Sequence, residues 1–185
     1  MGTNKAFLEI DGQRLIDRTV GIFRQLFAEI IIVTNAPLSY LDQNVTLVAD
    51  VFQNKGALGG LHTGLFFASH NQAFVCACDM PFLNGAFIEF MIRQADNYDI
   101  VVPDAGDGLQ PLHGIYGKRC LPVMENLLTK NKLKIINIYK GLKTLVIQES
   151  LIEPFDLDKK MFLNVNTYED LQKIRPTAEV APCRG

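Results

Sequence analysis

The chain has 185 residues, with 18 lysines and arginines against 20 aspartates and glutamates, for a formal net charge of −2. It therefore lacks the bulk positive charge by which nucleic-acid binders neutralise phosphates. At 48% hydrophobic and 21% charged residues it is too apolar for disorder, and it is long enough to bury the core of one domain.

In chain order, Ala6 to Ile10 meets the turn pair Asp11-Gly12, and Leu15, Ile16, Thr19, Val20, Phe23, Leu26 and Phe27 then recur at helical spacing. Glu29 to Thr34 is a β-branched run of the kind found in strands covered on both faces, and a shorter run, Val45 to Ala49, stops at Asp50. The glycine-rich stretch Gly56-Ala57-Leu58-Gly59-Gly60 feeds a helical pattern through Leu61, Leu65, Phe66 and Ala68. Ala73 to Cys78 reads as another buried strand, ending at Asp79-Met80-Pro81. A helix over 85–95, a strand over Ile100-Val101-Val102-Pro103 and a polar loop from Asp104 to Gly108 follow, leading into Pro111 to Tyr116. Helices are expected over 121–128 and 132–139, then the apolar runs Leu145-Val146-Ile147 and Phe162 to Asn166, then a helix from Thr167 to Ile174 with Asp170 placed to complete its cap. Residues 1–174 form one domain in this reading, and 175–185 form a tail without periodicity.

No apolar run approaches the roughly 18 residues of a membrane-spanning helix, and the first residues lack the apolar stretch of a signal peptide. The expectation is a cytoplasmic protein with no membrane and no nucleic-acid partner. Cys76, Cys78, Cys120 and Cys183 include no Cys-x-x-Cys pair, so they read as small core residues and not as a metal site or disulfide frame.

Alternating strands and helices imply an α/β fold, a parallel sheet with helices on both faces, in which ligands bind beyond the carboxyl ends of the strands. Asn35, Asp50, Asp79, Asn164 and Asn166 stand at or near such ends. Asp79, at the tip of a very apolar strand, is placed to hold a hard cation such as Mg²⁺ or, equally, to serve as a turn or cap aspartate. Asp50 has the same two readings. Lys5 is either a point charge for phosphates or a solvated lysine. The glycines at 56–64 permit close backbone approach to a ligand or simply form a turn; they match neither a Walker loop, since Leu65 follows Gly64, nor a dinucleotide fingerprint, since Gly-x-Gly is missing. His62, His70 and His113 have no metal-binding spacing, and Ser39, Ser69 and Ser150 sit in no Gly-x-Ser-x-Gly elbow. Lys130, Lys132 and Lys134 form a basic cluster, either a solvated face or an attractor of phosphorylated substrate.

Four stretches together resemble the molybdenum cofactor guanylyltransferase family, MobA-like nucleotidyltransferases: Met1-Gly2-x-Asn4-Lys5-Ala6-Phe7-Leu8, Gly56 to Leu61, Cys78-Asp79-Met80-Pro81-Phe82 and Asn164-Val165-Asn166-Thr167-x-Glu169-Asp170-Leu171. The resemblance implies a Rossmann-like three-layer α/β/α nucleotidyltransferase with a mostly parallel central sheet. It implies transfer of GMP from GTP to molybdopterin carrying molybdenum, with release of pyrophosphate. Under it Lys5 contacts the nucleotide phosphates, Asn35, Asp50, Gly59 and Gly60 lie in the nucleotide pocket, Asp79 holds Mg²⁺, and Asn164 and Asn166 line the pterin side. Lys5 and Asp79 are then the catalytic pair, and other molybdenum cofactor proteins are expected as transient partners. In the family a strand and a glycine-rich phosphate loop precede the Met-Gly motif, whereas these 185 residues start inside it, so an inner strand and the phosphate cradle are expected to be missing from them. The alternatives are a molybdopterin cytidylyltransferase or sugar-nucleotide enzyme, a non-catalytic pterin-binding or delivery protein, and an α/β domain with an unrelated ligand.

Overall fold

The computed structural model describes residues 5–165 together with Thr167, Glu169 and Asp170. Asp11 (φ 53°) and Gly12 (φ 76°) both take left-handed backbone conformations, as a two-residue hairpin of primed type demands. They join β1 (Glu9–Ile10) to β2 (Gln13–Arg14), paired antiparallel. Helix α1 (Leu15–Leu26) follows and buries the stripe Leu15, Ile16, Thr19 and Val20. At its start Arg14 donates to both carboxylate oxygens of Asp17, at 2.7 and 2.8 Å.

β3 (Ile31–Val33) and β4 (Thr46–Val48) pair in parallel, joined through a 3-10 helix over Pro37–Gln43 that the sequence pattern did not announce. Helix α2 (Gly56–Phe67) starts at Gly56 itself, so the glycine-rich stretch forms the first turns of the helix and not a loop ahead of it. β5 (Gln72–Cys76) leads to α3 (Gly85–Gln94), where the Asn84 side chain accepts from the Phe87 N–H at 3.1 Å and caps the helix. The chain continues through β6 (Ile100–Pro103), β7 (His113–Gly117), α4 (Leu121–Thr129), β8 (Thr144–Ile147) and the short α5 (Glu149–Ile152).

The larger sheet has the order β5-β7-β6-β8. β6 and β8 are parallel, while β7 runs against both β5 and β6. The sheet is therefore mixed, and β7 departs from the expected parallel run for a simple reason. Only residues 104–112 separate β6 from β7, fewer than the dozen or so a parallel crossover needs.

Alternation along β6 divides the core into two layers. Ile100 and Val102 pack with Leu58, Leu61 and Leu65 of α2 and Met124 and Leu128 of α4. Val101 packs on the other face with Phe87 and Met91 of α3. This is the three-layer α/β/α arrangement, with β6 and β7 buried along their whole length.

Two further expectations are corrected. The predicted helix over 132–139 contracts to a 3-10 turn over Ile135–Tyr139, because Asn131 (φ 53°) turns the chain after α4. Residues 162–165 carry no strand despite their apolar pattern; Val165 instead plugs a cluster with Ile10 and Leu15. The expected cap is present: the Thr167 N–H donates to Asp170 and the Asp170 N–H to the Thr167 hydroxyl, at 3.0 and 3.1 Å. The rest of that predicted helix, the 175–185 tail, Cys183 and Asn166 lie outside the described residues.

Candidate active site

Parallel pairing sets the first part of the site. Because Val33 is opposite Val48, Asn35 and Asp50 each lie two residues past the last paired position and face one another. Asn35 donates from Nδ2 to Asp50 Oδ2 at 2.9 Å, and its Oδ1 accepts from the Asp50 main-chain N–H at 3.2 Å. The next N–H, of Val51, donates to the Thr63 hydroxyl of α2 at 3.0 Å. The Asp50 backbone is thus held from two sides. Its Oδ1, however, is buried without any hydrogen-bond partner. A buried carboxylate oxygen left this way costs free energy until a donor reaches it.

The second part gathers at the end of β5. Burial pushes the Cys78 thiol pKa up, Asp79 raises it further, and Lys5 acts in the opposite direction. Lys5 and Asp79 therefore both lie near enough to this thiol to act on its charge. Lys5 is exposed and opens a 3-10 turn whose next residue, Ala6, is wholly buried against Ile16, Val20 and Tyr40. That anchor fixes where the lysine stem starts.

Asp79 is half-buried, and its main-chain carbonyl accepts from the Val165 N–H at 2.8 Å. Since Val165 is itself fully buried, this bond brings the exposed Asn164 beside the Asp79 turn. Residues more than eighty positions apart in sequence meet here through one backbone hydrogen bond.

Gly59 and Gly60 have different surroundings. A Cβ on Gly59 would stand 3.0 Å from both the Phe52 carbonyl oxygen and Lys55 Cβ. Glycine there is what lets α2 lie close on the 52–55 turn. A Cβ on Gly60 would meet nothing within 4 Å. Lys55 Nζ donates to Asn131 Oδ1 at 3.0 Å, tying the start of α2 to the end of α4 near the exposed Lys130 and Lys132.

The cysteine expectation needs one correction. Cys120 is buried, with its thiol pushed up to about 12 by burial, and Cys76 is half-buried. Cys78 lies in the Asp79 turn, an exposed residue whose thiol is still partly shielded from water, and is no core residue; the strand ends two residues sooner than its apolar pattern suggests. His62 is buried with Nε2 3.3 Å from Glu125 Oε1. His113 is buried among Phe74, Phe87 and Phe162, its pKa pushed down to about 3 by burial, and both ring nitrogens lack partners.

The residues that sequence reasoning missed are Cys78 and Thr63. A single hydroxyl within a helix gives no signal until the Val51 N–H is seen to reach it. Together the strand ends present a cation and a carboxylate that both act on one thiol, an exposed amide next to the Asp79 turn, and an orphaned acceptor on Asp50. Such a set can position a polyanion, provide one hard oxygen donor to a divalent ion, and read hydrogen-bond donors on a ligand. Among the described residues no group of three or more histidines, cysteines, aspartates and glutamates could hold a metal by itself.

The MobA-like NTP transferase domain family matches residues 1–143. A molybdenum cofactor guanylyltransferase of Desulfosudis oleivorans is 40% identical over 173 residues, covering 93% of this chain and 86% of that protein. A probable molybdenum cofactor guanylyltransferase of Pelotomaculum thermopropionicum is 35% identical over 97% of this chain and 87% of its own length. In three dimensions, molybdopterin-guanine dinucleotide biosynthesis protein A of Archaeoglobus fulgidus superposes with a TM-score of 0.79 at 20% identity, over 93% of this chain and 89% of that one. This likeness carries the fold. The family match and the sequence relatives place the chain, over most of its length, in the MobA-like NTP transferase family together with the molybdenum cofactor guanylyltransferases.

Proposed function

We propose that this chain transfers the GMP unit of GTP to the terminal phosphate of molybdopterin carrying molybdenum, with release of pyrophosphate. The observation that carries the reading is the Asn35–Asp50 clasp beyond the ends of β3 and β4, which leaves Asp50 Oδ1 buried and unpartnered. Nucleotidyl transfer needs little more than charge neutralisation and in-line positioning, since no covalent enzyme intermediate is required.

A terminal phosphate oxygen of the pterin substrate attacks the α-phosphorus of GTP. The bond from the α-phosphorus to the bridging oxygen breaks, and that electron pair leaves with pyrophosphate. Lys5 supplies positive charge to the triphosphate and stabilises what builds up on the bridging oxygen. Asp50 offers its unpartnered Oδ1 to the guanine edge, whose adjacent N1–H and N2–H groups are both donors. Cytosine presents one exocyclic amine there and satisfies a carboxylate less well. Asn35 keeps Asp50 oriented, and Gly59 and Gly60 lie in the wall of the nucleotide pocket. Asn164 lines the pterin side, where amides bind polar edges without repelling phosphate.

Asp79 is the residue that would hold Mg²⁺. A lone carboxylate with no preformed protein cage fits an ion that keeps several waters and takes its other ligands from substrate phosphates. When bound, the ion would neutralise charge on the phosphate oxygens. The direct test is turnover: pyrophosphate release from GTP that depends on molybdopterin supports the proposal, and pterin binding without any GTP-dependent release overturns it.

A further inference from the structure

Arg14, the last residue of β2, touches three other segments. Its guanidinium donates to both carboxylate oxygens of Asp17 in the first turn of α1, at 2.7 and 2.8 Å, and to Asp42 on the 3-10 helix over Pro37–Gln43. Its Cζ lies 5.6 Å from the centre of the Phe7 ring, in the 3-10 turn that Lys5 opens. Gln43 closes the set by donating to Asp17 Oδ1 at 2.7 Å. Hydrogen bonds to Asp17 and Asp42 hold the Arg14 pKa above its ordinary value, and those same bonds hold both carboxyls below theirs. All three groups therefore stay ionised at neutral pH.

The network joins the two ends of the nucleotide site. Toward Lys5, the Leu8 N–H donates to the Lys5 carbonyl at 3.0 Å and the Leu15 N–H to the Leu8 carbonyl at 2.9 Å. The Phe7 ring meets that of Tyr40 at 5.0 Å, and Tyr40 is buried with Ala6 on the same 3-10 helix as Asp42. That helix starts two residues after Asn35, whose partner is Asp50. A turn of three residues forms too few hydrogen bonds to hold itself, so the direction of Lys5 depends on what Phe7 rests against. The Arg14, Asp17 and Asp42 side chains keep 29%, 30% and 52% of their accessible surface, and ion pairs this exposed add little stability. What a planar, two-pronged guanidinium contact adds is direction.

We propose that Arg14 is a positioning residue for the nucleotide: it fixes the turn that carries Lys5 in register with the segment that carries Asn35. It thereby sets the span between the cation that meets the triphosphate and the Asp50 acceptor that meets the base. Arg14 acts through Lys5 and not on GTP itself, and the inference rests on the roles given above to Lys5 and Asp50. Lysine at this position would keep the charge, but a single ammonium cannot fork onto Asp17, reach Asp42 and lie against Phe7 together.

The test is a double-mutant cycle on GTP binding, measured by calorimetry with Mg²⁺ present and accompanied by melting temperatures. Lys5→Ala should weaken binding about tenfold, the loss of one charge-assisted contact. Arg14→Lys and Arg14→Met should each weaken it about fivefold in the parent protein and less than about twofold in Lys5→Ala, where no ammonium is left to position. A merely structural role would give the same loss in both backgrounds, and full affinity in Arg14→Lys would mean that positive charge alone counts; either result overturns the proposal. If both Arg14 variants fail to fold, Asp42→Asn decides, since it cuts the link to the 37–43 helix and leaves the Arg14–Asp17 pair; its effect should depend on Lys5 in the same way. No GTP binding by the parent, or equal binding by the parent and Lys5→Ala, would overturn the role of Lys5 and this inference with it. A Lys5-dependent affinity with an additive Arg14 effect would overturn this inference alone.

Discussion

Asn35 and Asp50 clasp each other twice across the ends of β3 and β4, with the Asn35 amide as donor at 2.9 Å and as acceptor at 3.2 Å. The clasp leaves Asp50 Oδ1 buried and unpartnered, so the pair is both a fastening between strands and an acceptor waiting for a donor. Asp50→Asn replaces that acceptor set with an amide. It is expected to raise KM for GTP about tenfold or more, the cost of leaving a buried ligand donor unpaired being roughly 1–3 kcal/mol. KM for the pterin substrate should stay unchanged, and steady-state kinetics with each substrate varied in turn checks both.

Asp79→Asn keeps the shape of the side chain and the Val165-to-Asp79 backbone bond but removes the charge. Turnover should fall about 10²-fold or more, in line with removal of one charge-stabilising group, while the melting temperature stays within a few degrees. Titration of Mg²⁺ into protein with GTP, followed by calorimetry, should show weaker metal binding in the variant. Unchanged metal binding would remove Asp79 from the metal site.

Gly59 and Gly60 give opposite predictions from adjacent positions. Gly59→Ala puts a Cβ 3.0 Å from the Phe52 carbonyl and should destabilise the fold by about 1–3 kcal/mol, as overpacking does. Gly60→Ala meets nothing and should be neutral or stabilising by up to about 1 kcal/mol, since alanine is the better helix former. Urea denaturation of both variants tests the contrast.

His113 supplies a pH prediction. Its pKa falls from 6.5 to about 3 on folding because burial penalises the charged ring. The unfolded chain therefore binds the extra proton between those values, and stability is fully present above pH 6.5 and declines as pH falls toward 3. Within that window the residue contributes a slope of about 1.4 kcal/mol per pH unit. His113→Leu should flatten the acid limb of the stability curve measured by chemical denaturation between pH 7 and pH 4.

Much of this architecture was legible in the sequence because burial leaves a periodic trace. The Asp11-Gly12 hairpin, α1, the β-branched run at 31–33 and the Thr167–Asp170 cap all follow from local chemistry. The direction of β7 did not, because it depends on the length of its connection and not on its residues. The core apolar pattern at 73–78 overstated β5 by two positions and so placed Cys78 inside. Asn35, Asp50 and Asp79 were readable as polar residues at strand ends. Their grouping was not, since the clasp depends on strand register and the approach of Asn164 to Asp79 on a hydrogen bond between distant segments.

The most direct test of nucleotide use is isothermal titration of the purified protein, its mass confirmed, with GTP and Mg²⁺ and then with CTP and Mg²⁺. The expected result is saturable GTP binding at least tenfold tighter than CTP binding, and loss of that preference in Asp50→Asn. A folded protein that binds neither nucleotide, or binds both equally, would contradict a guanylyl-transfer site built from Lys5, Asn35, Asp50 and Asp79.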